Sequence, residues 1–379
     1  MGIRFSILLL LLLCRHVAAD VTVTYDYGGL PDIDWQTYEA DPLFTEPSLP
    51  GGVYRQAVAT TPDTMRRFGP GTDTYVAYLI NRLQMPLLAR HPNNQQLLPM
   101  LCRFWFIDKP NNDFYCQIDA EAEWSDGVSV TTKDIAFSIE FLTNPATQAE
   151  TQKNALRAGL NQLVIFSEKA FSFQFTPPFS AEKLEQAFEF RPAASHFYSS
   201  KAGWPDAFDL TPEPTTSAYH IETLITRNQI NLRKTENWWA NERAFFANRF
   251  NVDRIIYQKL KSADVLLKRF QAGEYDSIPL QKTNNWNSPA ISNLANHYQI
   301  ARLEFQSDKT TSRYAIWQWL KLPDELGTTS TEDVLNPYEP TYGGAFWIDQ
   351  QKRIDILARP QNSDNKAALI TNINEAEQP

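Results

Sequence analysis

Ala122-Glu123-Trp124-Ser125-Asp126-Gly127-Val128-Ser129-Val130-Thr131-Thr132-Lys133-Asp134-Ile135-Ala136-Phe137-Ser138 is the stretch whose reading decides the fold. Ser125-Asp126-Gly127 has the composition of a tight turn, with glycine at the position that tolerates positive φ. Thr131, with Asp134 three residues on, has the form of a capping box. Ile135, Ile139 and Leu142 then fall on one side of a helix that Asn144-Pro145 ends. A turn feeding a threonine-capped amphipathic helix is thus the local expectation.

The flanks read as strands. Upstream, Leu101–Ile107 and Phe114–Ile118 are strand-like runs joined by the turn-rich Asp108-Lys109-Pro110-Asn111-Asn112-Asp113. Alternation groups Cys102 with Phe104 and Phe106, and Cys116 with Phe114 and Ile118, so both thiols are expected to point inward. A Cys102–Cys116 disulfide and a pair of buried free thiols both remain open, because the register is not fixed by sequence. Downstream, Leu163–Phe166 with Ala170–Phe175 reads as a hairpin, Leu184–Phe190 as a helix, and Ala218–Leu224 with Asn228–Arg233 as a second strand pair. Val53–Thr60 and Arg254–Gln258 read as strands, Thr74–Leu83 and the segment from Ser262 to Gly273 as helices, and residues 20–50 as an extended leading segment. Interleaved strands and helices indicate a mixed α/β architecture, without a fixed-period repeat.

The first nineteen residues have the layout of a cleaved secretory signal: Arg4, the apolar run Phe5–Leu13, then Val17-Ala18-Ala19 with small side chains before Asp20. Arg15 and His16 interrupt the run, which argues against a membrane anchor. Cleavage after Ala19 would remove Arg4 and Arg15 but no acid, leaving 33 basic against 44 acidic residues. That balance, without any basic run, argues against nucleic acid as a partner. Hydrophobic content of 43% suffices for a sizeable core, and 379 residues is a soft prior for two domains. The five histidines are scattered, and no Cys-x-x-Cys or His-Glu-x-x-His spacing points to a metal; no cofactor is expected.

In this order the segments resemble the extracellular solute-binding proteins of peptide and nickel ABC importers, family 5, in particular their microcin- and oligopeptide-binding branch. The Trp124-Ser125-Asp126-Gly127 turn with its capped helix carries the resemblance. Asn237-Trp238-Trp239, Asn248–Ile255 and Phe270-Gln271-Ala272-Gly273-Glu274-Tyr275-Asp276 match three further landmarks. The resemblance implies an α/β, type II periplasmic-binding-protein-like fold and a protein that is not an enzyme. It further implies periplasmic localisation and two partners, a peptide or peptide-like solute and an ABC permease in the inner membrane. On the first lobe it directs attention to Phe68-Gly69-Pro70, Tyr219 and Trp286 as ligand-binding residues. Their alternative reading is as ordinary loop and core positions.

Two departures from the family stand out. Its Gly-Thr-Gly-Pro-Tyr turn is replaced by Thr215-Thr216-Ser217-Ala218-Tyr219, which restricts backbone that glycine leaves free. And only 103 residues follow Asp276, with Arg313–Pro323 and Phe346–Asp349 already resembling the ends of full-length relatives. The expected organisation is a signal peptide at 1–19, a first lobe over 20–305 with an inserted subdomain at about 75–200, a return segment to that lobe over 306–350, and a disordered tail over 351–379. The second lobe would be largely missing, with the joint near Gln306 to Thr311. Two other functions compete with an importer component: a one-lobed derivative that no longer binds ligand, and a secreted hydrolase. The hydrolase reading lacks a Gly-x-Ser-x-Gly elbow, and Glu182 and Glu185 lie one helical turn apart rather than across a cleft.

Overall fold

The computed structural model describes residues 21–42, 50–58, 64–72, 81, 83–91, 95–200, 202–222, 228–247 and 249–259, single positions between 265 and 275, and strand backbone at 279–280, 299–307, 313–319 and 367–372. The signal sequence, Trp286 and most of the helices expected at Thr74–Leu83 and Ser262–Gly273 lie outside these residues.

Two sheets organise the described body. The first has five strands: β1 (Thr22–Tyr25), β5 (Cys102–Asp108), β6 (Asp113–Ile118), β7 (Leu160–Ile165) and β8 (Ala170–Phe175), in the order β1-β7-β8-β6-β5. The second contains β2 (Val53–Val58), β9 (Tyr219–Ile221), β10 (Gln229–Lys234) and β11 (Arg254–Lys259), ordered β2-β11-β10-β9. β1 joins β7, and β2 joins β11, in parallel, whereas the chain-adjacent pairs are antiparallel. A small ribbon, β3 (Leu88–Arg90) with β4 (Leu97–Pro99), lies between them in sequence. One hydrophobic cluster takes in Tyr54 and Ile255 of the second sheet together with Phe114, Phe171 and Leu163 of the first, so the two sheets share a core.

The decisive stretch folds as its composition predicts. Gly127 has φ +83°, and Trp124 donates its amide to Val128 O. Helix α1 (Thr132–Thr143) starts at Thr131, whose side chain accepts from Lys133 N while Asp134 accepts from Thr131 N, a reciprocal capping box. Ile135 and Ile139 are fully buried and Leu142 nearly so. Helix α2 (Glu150–Gly159) and helix α3 (Ala181–Phe188) complete the helical layer. The sequence reading missed α2, which presents only Gly159 as a fully buried residue and so lacks a strong apolar stripe.

A disulfide joins Cys102 to Cys116, with Cα atoms 5.5 Å apart, which resolves the alternative that the sequence left open. The inward face of β6 is as expected: Phe114, Cys116 and Ile118 are buried. On β5 the expected face is not observed. A register shift between Cys102 and Phe104 buries Trp105 and leaves Phe104 and Phe106 half-exposed. One extra residue at a bulge moves every following side chain to the opposite face.

Four further strands form a separate sheet, β12 (Pro279–Leu280), β13 (Gln299–Ser307), β14 (Arg313–Trp319) and β15 (Ala367–Asn372), ordered β12-β15-β13-β14. β13 pairs directly with β14, Ser307 lying opposite Arg313. β15 falls within the stretch whose polar composition reads as a disordered tail. Its short run Ala367-Ala368-Leu369-Ile370 is apolar enough for a strand but is diluted in a wider average.

Candidate functional site

Three segments far apart in sequence meet around the Trp124–Gly127 turn. Ser125 donates its amide to Thr215 O at 2.7 Å, and its hydroxyl accepts from Thr215 N at 3.0 Å. Asp126 meets His196 Nε2 at 2.9 Å. Behind the turn, buried Asp134 accepts from Thr131 N and Trp124 Nε1 through Oδ2, and from Ser195 N and Ser195 Oγ through Oδ1. The motif is therefore a structural joint: its serine, aspartate and tryptophan are occupied in holding loops together.

Thr216 extends the joint. Its amide donates to Gln84 Oε1, its hydroxyl accepts from Met85 N at 2.7 Å, and its carbonyl accepts from the indole nitrogens of both Trp238 and Trp239. Tyr219 is fully buried, and its hydroxyl donates to Val252 O at 2.9 Å. Its ring thus serves the core of the second sheet, and any role toward a ligand is through the shape of the Thr215–Tyr219 segment.

The Phe68-Gly69-Pro70 turn is held from beneath by two arginines. Arg66 donates to Phe68 O, Pro70 O and Asp209 Oδ1 at 2.7–2.8 Å. Arg67 donates to Pro192 O, Arg191 O and both oxygens of Glu213. Gly69 has φ +84°, and a Cβ placed on it would sit 2.9 Å from Thr147 O. Phe68 is 5% exposed and packs among Phe141, Tyr198 and other rings, whereas Pro70 is exposed. Of the three, only the Gly69-Pro70 edge faces outward. Burial, followed by the neighbouring Glu213 carboxylate, holds the Tyr198 hydroxyl well above its ordinary pKa.

The Asn237-Trp238-Trp239 landmark places its two indoles differently. Trp238 is 6% exposed and packs in the core; Trp239 is half-buried and lines a 590 Å³ cavity with Tyr38, Arg103, Asp119, Lys169 and Arg243. Arg243 lies over the Trp239 ring at 4.7 Å and pairs with Asp119. Burial pulls the Arg243 guanidinium below its usual pKa, against the opposing effect of Asp119. Lys169 is likewise lowered by burial, and it donates to Asp119 O, Ser129 Oγ and Val130 O. A wall of aromatic surface with paired charges of both signs suits reversible binding of a polar organic molecule. No local motif announces this cavity, since its wall comes from five separate stretches of chain. Among the described residues no cluster of three or more His, Cys, Asp or Glu side chains is placed to hold a metal.

Comparison with known proteins sets this arrangement in a family. The profile described as bacterial extracellular solute-binding proteins, family 5 Middle, matches residues 96–317, more than half of the chain. No curated protein matches the sequence. Among solved structures, the fold is similar to that of the murein tripeptide binding protein MppA of Escherichia coli, with a TM-score of 0.53 and 16% identity over 68% of this chain and 51% of that one. It is similar to the ABC transporter substrate binding protein CtaP of Listeria monocytogenes, with a TM-score of 0.50 and 14% identity over 61% and 45%. It is also similar to MoaA from A. tumefacien R10, solved with mannopinic acid, with a TM-score of 0.53 and 15% identity over 68% and 50%. The chain thus spans about half the length of these proteins. No described helix is long and apolar enough to cross a membrane. The profile spans more than half of the chain and the architecture is mixed α/β: this chain belongs to the bacterial extracellular solute-binding proteins, family 5.

Proposed function

We propose that this protein is a solute-binding component of an ABC importer, exported to the periplasm by cleavage of residues 1–19, taking up oligopeptides or related solutes and presenting them to an inner-membrane permease. The family match over residues 96–317 carries this reading. Residues 20–305 would form the first lobe, its inserted subdomain at about 75–200, with residues 306–350 returning to it. The outward edge of the Gly69-Pro70 turn and Trp286 would touch ligand directly. Phe68 and Tyr219, both buried, would fix the turn and the Thr215–Tyr219 segment behind it. Extended peptides in such sites are held through backbone hydrogen bonds, which tolerates varied side chains.

A second reading has one observation in its favour. β13 and β14 pair directly with only residues 308–312 between them, where a full second lobe would be inserted in the family. On this reading the chain is a one-lobed derivative that no longer holds ligand and acts as an interaction module or persists as a remnant. A thermal-shift screen with di- to hexapeptides, sugar peptides and nickel complexes separates the two. A ligand at 100 times its Kd adds about 2.7 kcal/mol to a binder. A concentration-dependent rise in Tm with one pool is the expected result; no shift with any pool overturns the importer reading and leaves the one-lobed one.

A further inference from the structure

The 590 Å³ cavity beside Trp239 is lined by three cations, and the protein itself engages all of them. Arg243 gives Nη1 to the carbonyls of Pro99 and Met100 and Nη2 to Asp119. Lys169 donates to Asp119 O, Ser129 Oγ and Val130 O, one acceptor for each of its three protons. Arg103 pairs with Glu39 at 2.8 Å.

The acids are engaged less completely. Four carboxylates line the same cavity, those of Glu39, Asp119, Glu121 and Glu242, and the two arginines take only Glu39 and Asp119. Among the described residues the Glu121 carboxylate has no hydrogen bond or ion pair, and Glu242 has only a 3.3 Å contact from the Asn241 amide. Both glutamates are exposed, so a ligand can reach them. Glu121 also helps to hold the Arg243 guanidinium charged, which sets its carboxylate within electrostatic reach of the Arg243–Trp239 stack. A lining whose cations already have acceptors, and whose unengaged charges are carboxylates, attracts cations and repels anions. Tyr38 and Phe104, only half-buried in the wall, add aromatic surface of the kind that recognises ammonium ligands. The Arg243 guanidinium, 4.7 Å from the Trp239 centroid, already makes such a contact from within the chain. We propose that this cavity is a binding site for a small organic ammonium ion, its charge beside Glu121 and Glu242 and its alkyl groups against Tyr38 and Phe104. Neither Gly69, Pro70 nor the Thr215–Tyr219 segment lines it, so the site does not rest on the importer reading.

Calorimetric titration of the full chain with choline and with its neutral isostere 3,3-dimethylbutanol tests the assignment. Choline is expected to bind at least tenfold more tightly than the alcohol and to weaken as salt is added. The double variant Glu121→Gln/Glu242→Gln, conservative at two exposed positions, should bring choline down to the level of the alcohol. Phe104→Leu keeps an apolar side chain but removes the ring; it should weaken choline about threefold, the scale of one exposed cation–π contact, and leave the alcohol unchanged. Equal affinity for choline and the alcohol, unchanged choline binding in either variant, or no heat at millimolar choline would each overturn it.

Discussion

Arg67 and Glu213 form an ion pair at 3.2 Å across 146 residues of sequence, with side chains only 1% and 5% exposed. Glu213 also accepts from Ala194 N at 2.8 Å and from the Tyr198 hydroxyl at 3.0 Å, so one carboxylate serves three donors from two segments. Removing one member of a buried pair strands the other charge and costs about 3–5 kcal/mol. Glu213→Ala is expected to lower unfolding stability by that amount in urea melts, while Glu213→Gln, which retains an acceptor for Ala194 N, should lose less. A loss below about 1 kcal/mol in Glu213→Ala would show that water reaches Arg67 and that the pair does not anchor the Phe68 turn.

Tyr198 gives this cluster a pH signature. Its folded pKa is raised by burial first and by Glu213 next, with Arg67 and Arg66 opposing. The unfolded phenol ionises near pH 10. Between that pH and the raised folded value, the unfolded state releases a proton that the folded state keeps, so stability falls as pH rises. Below pH 10 the contribution is fully present. Melting temperature should therefore drop progressively above about pH 10, and Tyr198→Phe should flatten that slope while costing about 1.5–3 kcal/mol at neutral pH through the lost bond to a carboxylate. An unchanged alkaline slope in Tyr198→Phe would assign the effect elsewhere.

What the sequence discloses here follows the range of the interactions. The Ser125–Gly127 turn, the Thr131 cap and the Ile135/Ile139 face are local, and each is legible within a dozen residues. The face of β6 is legible for the same reason, whereas the bulge after Cys102 is set by pairing with β6 and inverted the reading of Phe104 and Phe106. β1 was invisible because its place is created by β7, with Thr22 opposite Gln162. The candidate site residues fare worst. Nothing near Tyr219 says that its hydroxyl will be taken by Val252 O, and nothing near Trp239 says that Tyr38, Asp119 and Lys169 will complete a cavity beside it.

The Cys102–Cys116 bond makes a prediction about where reductant can act. Both cysteines are fully buried, and the bond closes a separation of 14 residues. A loop of that size contributes about 3 kcal/mol by restricting the unfolded chain. The double variant Cys102→Ala/Cys116→Ala should lose about that much in urea melts. Dithiothreitol should leave the native protein's melt unchanged until unfolding begins, because the thiolate cannot reach a buried sulfur. Rapid reduction under native conditions, followed by alkylation and mass spectrometry, would contradict this burial.

Gly69 and Gly127 allow backbone strain to be separated from crowding. Both sit in the left-handed region, at φ +84° and +83°, so alanine at either should cost about 1–2 kcal/mol from conformation alone. A Cβ on Gly127 would meet nothing within 4 Å, whereas on Gly69 it would meet Thr147 O at 2.9 Å and Arg66 Nη1 and Trp204 Cζ2 at 3.0 Å. Two of those atoms belong to the bonds that shape the turn: Arg66 Nη1 donates to Phe68 O, and Thr147 O accepts from Trp204 Nε1. Relief of the clash must therefore break a contact rather than rotate a free side chain. Gly69→Ala is expected to exceed Gly127→Ala in destabilisation by at least about 1 kcal/mol, the scale of off-rotamer packing in a filled site. Equal losses in paired urea melts would mean that Thr147 and Trp204 yield freely, and that the outward edge at Pro70 is not rigidly held.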